Sequence, residues 1–295
     1  MRVVATRGSA LALAQAELTI NLLRALEPAG EFQLLVVDSD GDLNPSLPVP
    51  ELEGQGWFSS RLERALSEGK VEAAVHSAKD LPTISPGGLT VGAYLAREDP
   101  RDSLVTVNGA PWRDLPTGSR VGTSSPRRAF QLQALRPDLQ PVSIRGNIDT
   151  RLRRMGQLGL GAVMVAQAGL IRLGRGGQGQ PLDPIEECTP APAQGAIAVQ
   201  VAANTAMAGL VSALDDASTR TCVEAERAVL VRMGGGCRLP LGVFAEPTKE
   251  GNFRLTVAWS PGDLAAAPQR LTVLATPGEL VPRALALADQ LLATR

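Results

Sequence analysis

Arginines recur in this sequence just past the ends of apolar runs. The first run closes in Thr6-Arg7-Gly8-Ser9, another in Gly122-Thr123-Ser124-Ser125-Pro126-Arg127-Arg128, and a third in Arg145-Gly146-Asn147. Arg151 follows a turn or two later, and Arg172 follows AVMVAQAGLI. In an open parallel sheet, ligands bind beyond the carboxyl ends of the strands. A helix N-terminus there offers free N–H groups and the positive end of a dipole. Arginine adds a planar fork matched to carboxylate or phosphate. Taken singly, each serine and arginine is accounted for by a helix cap and a surface charge. Their repetition in a chain of net charge −1 points to a ligand with several negative groups. Separate arginines fit carboxylates as well as phosphates. Nucleotide loops are not supported, because there is no GxxxxGK[ST] and no GxGxxG opening the first helix.

Two further residues stand out. Asp80, in His76-Ser77-Ala78-Lys79-Asp80-Leu81-Pro82, is either a turn aspartate paired with Lys79 or a carboxylate facing the same ligand as the arginines. In the second case it could hold a developing cation or move a proton. Cys237 stands behind Gly234, Gly235 and Gly236, in a tight turn or at a point of covalent attachment. Cys188 and Cys222 read as buried thiols, and His76, the one histidine, as structural. Three cysteines without CxxC spacing give neither a disulfide framework nor a zinc site.

The elements that must carry these residues are legible in the hydrophobic period. RVVATR, FQLLVVDS and VEAAVHSA read as strands; SALALAQAELTINLLRALE and WFSSRLERALSEG read as helices between them. The pattern restarts with SLVTVN, SRVGTS, the helix PRRAFQLQALRP, PVSIRG, the helix TRLRRMGQLG, AVMVAQAGL and GAIAVQVAAN. REDPRD and PAPAQGA read as crossings between two α/β lobes, which would form a hinged cleft. From about residue 217 a helix, three strands (LGVFAEP, FRLTVAWS, QRLTVLAT) and a closing helix form a small α+β part. The expected fold class is α/β, with two lobes of mostly parallel sheet. The expected division is 1–96 with 194–214, 97–193, and 215–295.

Composition narrows the function. Hydrophobic residues are 44% and charged residues 20%, ordinary for a globular protein. Aromatics at 3% and a near-neutral charge argue against nucleic acid as a partner. No apolar run is long enough to span a membrane, and MRVVATRGSA lacks the apolar core of a secretion signal, so the expected location is cytoplasmic.

The segments ATRGSALALAQAE, VHSAKDLP, REDPRDS, VGTSSPRRAFQL, IRGNIDTRL, AGLIRLG and AERAVLVRMGGGCRLPLG occur in the order seen in the porphobilinogen deaminase, or hydroxymethylbilane synthase, family. The sequence resembles that family over roughly residues 2 to 246. The resemblance implies two lobes like those of periplasmic binding proteins and a small third domain. It implies a dipyrromethane cofactor joined to Cys237 by a thioether, with no metal. Lys79, Ser125, Arg127 and Arg128 would hold the cofactor; Arg7, Ser9, Arg145, Arg151 and Arg172 would hold substrate or the growing chain. Asp80 would be catalytic. The implied substrate is porphobilinogen, a pyrrole carrying acetate, propionate and aminomethyl groups. It loses ammonia to give an azafulvene cation, which the free α-carbon of the terminal ring attacks. Four rounds and a hydrolysis would release a linear tetrapyrrole. Each ring brings two carboxylates, which is what an arginine-lined site suits. The family usually works as a monomer, and no exposed apolar stripe is evident in the sequence.

Three departures from the family pattern matter. Glu51-Leu52-Glu53-Gly54-Gln55-Gly56 stands where a lysine-bearing loop is usual, and Ser39-Asp40-Gly41-Asp42 where Thr-Arg-Gly-Asp is usual. Ala193-Gln194-Gly195 replaces Gly-Gln-Gly. Two rivals are a solute receptor, which would have no use for Cys237, and a diverged pyrrole binder with poor turnover.

Overall fold

A computed structural model of the chain describes residues 1–37, 60–235, 239–260 and 268–293. The substituted segments at 39–42 and 51–56, and Cys237 itself, lie outside the described residues. The chain forms two compact units: Met1–Arg97 with Ala196–Arg220, and Glu98–Gly195 with Thr221–Arg295.

The first unit is built on β1 (Arg2–Thr6), α1 (Ala10–Leu26), β2 (Phe32–Val36), α2 (Ser60–Ser67), β3 (Ala73–Ser77), β4 (Leu89–Tyr94), β10 (Ile197–Ala202) and α6 (Ala206–Ser212). Its sheet runs β2-β1-β3-β10-β4. β1 pairs parallel with β2 and β3, while β10 is antiparallel to both β3 and β4, so four of the five strands share one direction. Alternation along the strands sends Val4, Val75, Ile197 and Val199 to the core beneath α1, and Ala5 and Ala74 to the core beneath Leu62 and Leu66 of α2. The α1 stripe Ala16, Ile20 and Leu23 is buried. The same helix turns Leu18, Leu22 and Leu26 outward at 44%, 38% and 46% exposure, an exposed apolar stripe that the sequence reading did not anticipate.

The second unit holds β5 (Asp102–Thr106), β6 (Arg120–Gly122), α3 (Pro126–Leu135), β7 (Gln140–Val142), α4 (Ile148–Gln157), β8 (Ala162–Ala166), α5 (Gln167–Arg172) and β9 (Gln180–Pro181). Its sheet, β7-β6-β8-β5-β9, repeats the plan: β6 is parallel to β7 and β8, and β5 is antiparallel to β8 and β9. The same unit contains most of α7 (Ala217–Arg232), which packs with α8 (Leu280–Leu292) on the meander β11 (Leu241–Pro247), β12 (Phe253–Trp259) and β13 (Gln269–Ala275). Their shared core includes Cys222, Val229, Leu255, Val257, Trp259 and Leu280. Glu226, fully buried on α7, accepts the N–H groups of Ala193 at 2.6 Å and Ala245 at 2.7 Å.

The α/β expectation therefore holds, with mostly parallel sheets and an α+β part at the end. Among the described strands and α-helices, three were not read from the sequence: β4, β9 and α6. β4 carries Gly92, where a Cβ would stand 2.9 Å from Val211, so its alternation is broken by packing against α6. β9 and α6 are too short for a period to show.

Candidate functional site

Parallel neighbours end on one edge of a sheet, and this brings each set of candidate residues together within its own unit. In the first unit β1 and β3 are adjacent and parallel, so Arg7 and Ser9 leave the same edge as Lys79 and Asp80. Ser9 is the N-cap of α1 and accepts the N–H of Ala12 at 3.3 Å. The plain reading of Ser9 as a cap is thus realised, and its hydroxyl proton remains available to a ligand. β3 runs into a single 3₁₀ turn, Ala78–Asp80, held by the Ala78 N–H donating to the carbonyl of Ala196 at the entrance to β10. Thr6 donates to the Val75 carbonyl at 3.0 Å and Ser77 to Gln15 at 3.0 Å, fixing β1, α1 and β3 under the edge. Asp80 is exposed, and among the described residues it has no hydrogen bond or ion pair, with Lys79 or any other group. That weighs against the paired-turn reading.

His76 lies beneath the same edge and is buried, which accords with a structural reading. Burial pushes its pKa down to about 4; Gln200 offsets part of the shift and the nearby charge of Arg7 adds to it. The ring is therefore neutral at pH 7 and does not add to the charge beside Arg7.

In the second unit β6, β7 and β8 run the same way, so Ser125, Arg145 and Arg172 follow strands that end on one edge. Ser125 caps α3 and accepts the N–H of Arg128 at 3.4 Å, with Pro126 at the first helical position. Ser124 knits this turn to the next one, donating to the Ile144 carbonyl at 2.7 Å and accepting its N–H at 3.0 Å. Asn147 caps α4, and one turn on Arg151 donates from Nε to the Gly146 carbonyl at 2.7 Å. Arg145 is exposed. Arg172 ends α5 and donates from Nη2 to the Gly195 carbonyl at 2.7 Å.

Arg151 and Arg172 meet only carbonyls: among the described residues neither has a carboxylate within ion-pair distance. Desolvation, with the neighbouring charge of Arg128, lowers the Arg151 pKa to about 10. Desolvation lowers that of Arg172 as well, opposed by Glu98. Both remain cations at neutral pH. A desolvated cation without a counter-ion costs stability, so these two side chains favour an anionic ligand.

Arg127 and Arg128 are different. Both are buried, at 4% and 6% exposure, and both bind Asp102, which has none. The segment REDPRD, which reads as a crossing, contains Asp102; its role is not given by that reading, although an acid opening an apolar strand is a visible anomaly. Gln131, Cys188 and Gln194 join the same network; Gln131 was not singled out from the sequence, and Cys188 and Gln194 were noted there without this role. Cys188 is buried as expected. Its thiol pKa is pushed up to about 12 by burial and by Asp102, so it stays protonated.

The glycines before Cys237 have a structural use. The N–H of Gly235 donates to the Leu230 carbonyl at 2.8 Å and that of Gly234 to Val231 at 3.1 Å, with Gly234 at φ +101. This is the Schellman pattern that ends a helix, and it needs a left-handed residue. The first two glycines thus stop α7, so they are not there for flexibility alone.

The arginines at the edge of each sheet suit carboxylates, and in the first unit Asp80 adds an exposed acid. Among the described residues no group of His, Cys, Asp and Glu is placed to hold a metal ion, and no helix is long and apolar enough to cross a membrane. The chain matches the family profile described as porphobilinogen deaminase, dipyromethane cofactor binding domain, over residues 2–208, and that of the porphobilinogen deaminase C-terminal domain over 220–263. It is similar to the porphobilinogen deaminase of Acidothermus cellulolyticus, 41% identical over 286 residues, covering 90% of this chain and 86% of the relative. The one from Roseiflexus sp. is 39% identical, covering 98% and 95%. The one from Mycolicibacterium paratuberculosis is 46% identical, covering 82% and 76%.

Proposed function

The chain belongs to the porphobilinogen deaminase family, and from that premise we propose how its own residues perform the hydroxymethylbilane synthase reaction of tetrapyrrole biosynthesis. In this reaction four porphobilinogen molecules lose ammonia and join head to tail on a dipyrromethane primer, and water releases the chain. The primer is carried by the cysteine of the glycine loop, Cys237. When bound, it supplies the nucleophilic pyrrole carbon for the first condensation.

The observation that carries the assignment of roles is the pair of desolvated guanidiniums, Arg151 and Arg172, without carboxylate partners among the described residues. They take the acetate and propionate of incoming rings, with Arg145 at the mouth of the same sheet edge. Arg7 and Ser9 offer a second set of donors at the edge of the first unit. Asp80 is a carboxylate without a partner among the described residues, placed to accept pyrrole N–H groups. As the C–N bond breaks and ammonia leaves with the electron pair, its negative charge faces the cation that forms. Lys79, Ser125, Arg127 and Arg128 hold the carboxylates of the primer. We keep the working division 1–96 with 194–214, 97–193 and 215–295, a monomeric state and a cytoplasmic location. The exposed leucines of α1 make the mass in solution, by light scattering, the check on the monomer.

The test is intact mass beside turnover. Wild type should carry two linked pyrrole units and consume porphobilinogen. Cys237→Ser should carry none and be inactive. An unmodified wild-type chain that stays unmodified after exposure to porphobilinogen would overturn the reading in favour of a binder with little turnover.

A further inference from the structure

Asp102 opens β5, the reversed strand, so it starts at the edge where β6 and β8 end. It has no exposed surface, yet its two oxygens take up donors from four side chains. Oδ2 accepts Arg127 Nη1 at 2.5 Å and the Cys188 thiol at 3.4 Å. Oδ1 accepts Arg128 Nε at 2.9 Å and Gln194 Nε2 at 3.0 Å, with Arg128 Nη2 in ion-pair contact at 2.7 Å. The two arginines hold the carboxyl well below its usual range against the burial that would raise it. One anion thus meets two cations, and the cluster keeps a net positive charge.

The contacts use the guanidiniums unequally. Arg127 spends one nitrogen only: Nη1 meets Asp102, the Thr189 carbonyl at 2.8 Å and Cys188 at 3.8 Å. Its Nε and Nη2 have no partner among the described residues. Those two nitrogens form the side-on edge of the fork, the edge that takes a carboxylate through two parallel hydrogen bonds. Arg128 is held at Nε and Nη2 by Asp102 and at Nη1 by the Met164 carbonyl at 3.1 Å. It contributes fixed charge more than an open edge.

We infer that Asp102 is a positioning residue: by gripping the Nη1 corner of Arg127 it turns the Nε–Nη2 edge toward a carboxylate of the ligand and keeps Arg128 from competing for it. The inference rests on the family reaction proposed above. It assigns different duties to two arginines that the sequence motif treats alike.

The experiment measures the fraction of purified chain carrying the primer, by intact mass, together with KM and kcat of the loaded protein. The variants are Asp102→Asn, Arg127→Lys and the double Asp102→Asn/Arg127→Lys, with far-UV circular dichroism on each. Lysine keeps the charge at 127 but has no side-on edge. Each single variant should lower the loaded fraction several-fold or raise KM about tenfold, and the double should be no worse than the poorer single. Singles whose effects multiply would show that Asp102 does not act through Arg127. A fully loaded Asp102→Asn with wild-type KM would reduce Asp102 to a structural ion pair. If Asp102→Asn does not fold, Arg127→Lys decides: normal loading and KM there would overturn the edge assignment. A wild-type chain without primer or turnover would instead overturn the family reading, and with it the ligand assigned to this edge.

Discussion

The two five-stranded sheets have one plan and opposite chemistry. In each, the strand in fourth place is reversed, so its first residue lies at the edge where its parallel neighbours end. In the first unit that entrance is neutral: Ala196 offers a carbonyl to the turn before Asp80, and the acid is left without a protein partner among the described residues. In the second the entrance is Asp102, which neutralises part of an arginine cluster, while among the described residues Arg151 and Arg172 have no carboxylate within ion-pair distance. Topology thus decides where functional groups can stand. Single residues at the entrances decide which sign of charge is left over for a ligand.

The largest effect should come from the first edge. Asp80→Asn removes a charge that makes no contact holding the fold, so thermal midpoint and primer loading should not change. The loss should fall on kcat, by about 10²–10³-fold, as for a group that stabilises charge only as it develops. Steady-state kinetics on protein of verified mass would measure it. A loss that appears in KM alone would make Asp80 a binding group and erase the chemical contrast between the two edges.

The matching change at the second edge is Arg151→Met. It keeps an unbranched apolar stem but removes a cation that the protein desolvates without pairing it. KM for porphobilinogen should rise about 10–100-fold, about 1.4–2.7 kcal/mol. Stability should rise, by about 1–2 kcal/mol, because folding no longer carries the cost that lowers the Arg151 pKa to about 10. A fall in the variant's melting point would mean that Arg151 supports the fold and is not held ready for a ligand.

Most of the plan behind these contrasts was readable in the chain. Strand ends marked by arginine, serine caps such as Ser9 and Ser125, and the 3.6-residue stripe of α7 are local signals, and the structure has them. Asp102 was not readable in its role, because a reversed strand is a property of the pairing and not of its own residues. SLVTVN looks the same in either direction. Nor does the motif PRR distinguish an arginine held by one corner from one held by three nitrogens. β4 was hidden by Gly92, whose reason is Val211, more than a hundred residues away. Leu18, Leu22 and Leu26 extend the apolar pattern of α1 past the face it buries, so the period alone could not show which leucines face out.

His76 gives a difference spread over a pH range and not seen at pH 7, since the second unit has no histidine to match it. Its folded pKa of about 4 lies below the ordinary 6.5. The contribution of the neutral ring is fully present above pH 6.5 and is lost as pH falls from there to about 4. The total is about 3 kcal/mol. The difference in urea midpoint between parent and His76→Phe should therefore narrow or reverse between pH 7 and pH 4. A constant difference would mean that the imidazole titrates normally, and that Arg7 sits beside a second charge in acid.

The smallest effect concerns how the chain leaves the second unit for β10. β5 is entered through Asp99-Pro100-Arg101, stiffened by proline and by an Asp99–Arg101 pair at 2.6 Å. The segment leading to β10 instead carries Ala193 at φ +62, one of two non-glycine residues with positive φ among the described residues. The family pattern has glycine there, which invites the expectation that Ala193→Gly would stabilise. Three magnitudes decide otherwise. Relief of left-handed strain gains about 1 kcal/mol. The Ala193 methyl is fully buried, and its loss costs about 0.8 kcal/mol. The freer unfolded chain costs about 0.5–1 kcal/mol more. The sum is a slight loss, about 0.5 kcal/mol, visible only as a small shift in urea midpoint at unchanged slope. A gain above about 1 kcal/mol would show that the methyl packs poorly and that strain dominates this exit. A loss above about 2 kcal/mol would show that the methyl holds the N–H of Ala193 on Glu226, making this exit as firmly fixed as the entrance to β5.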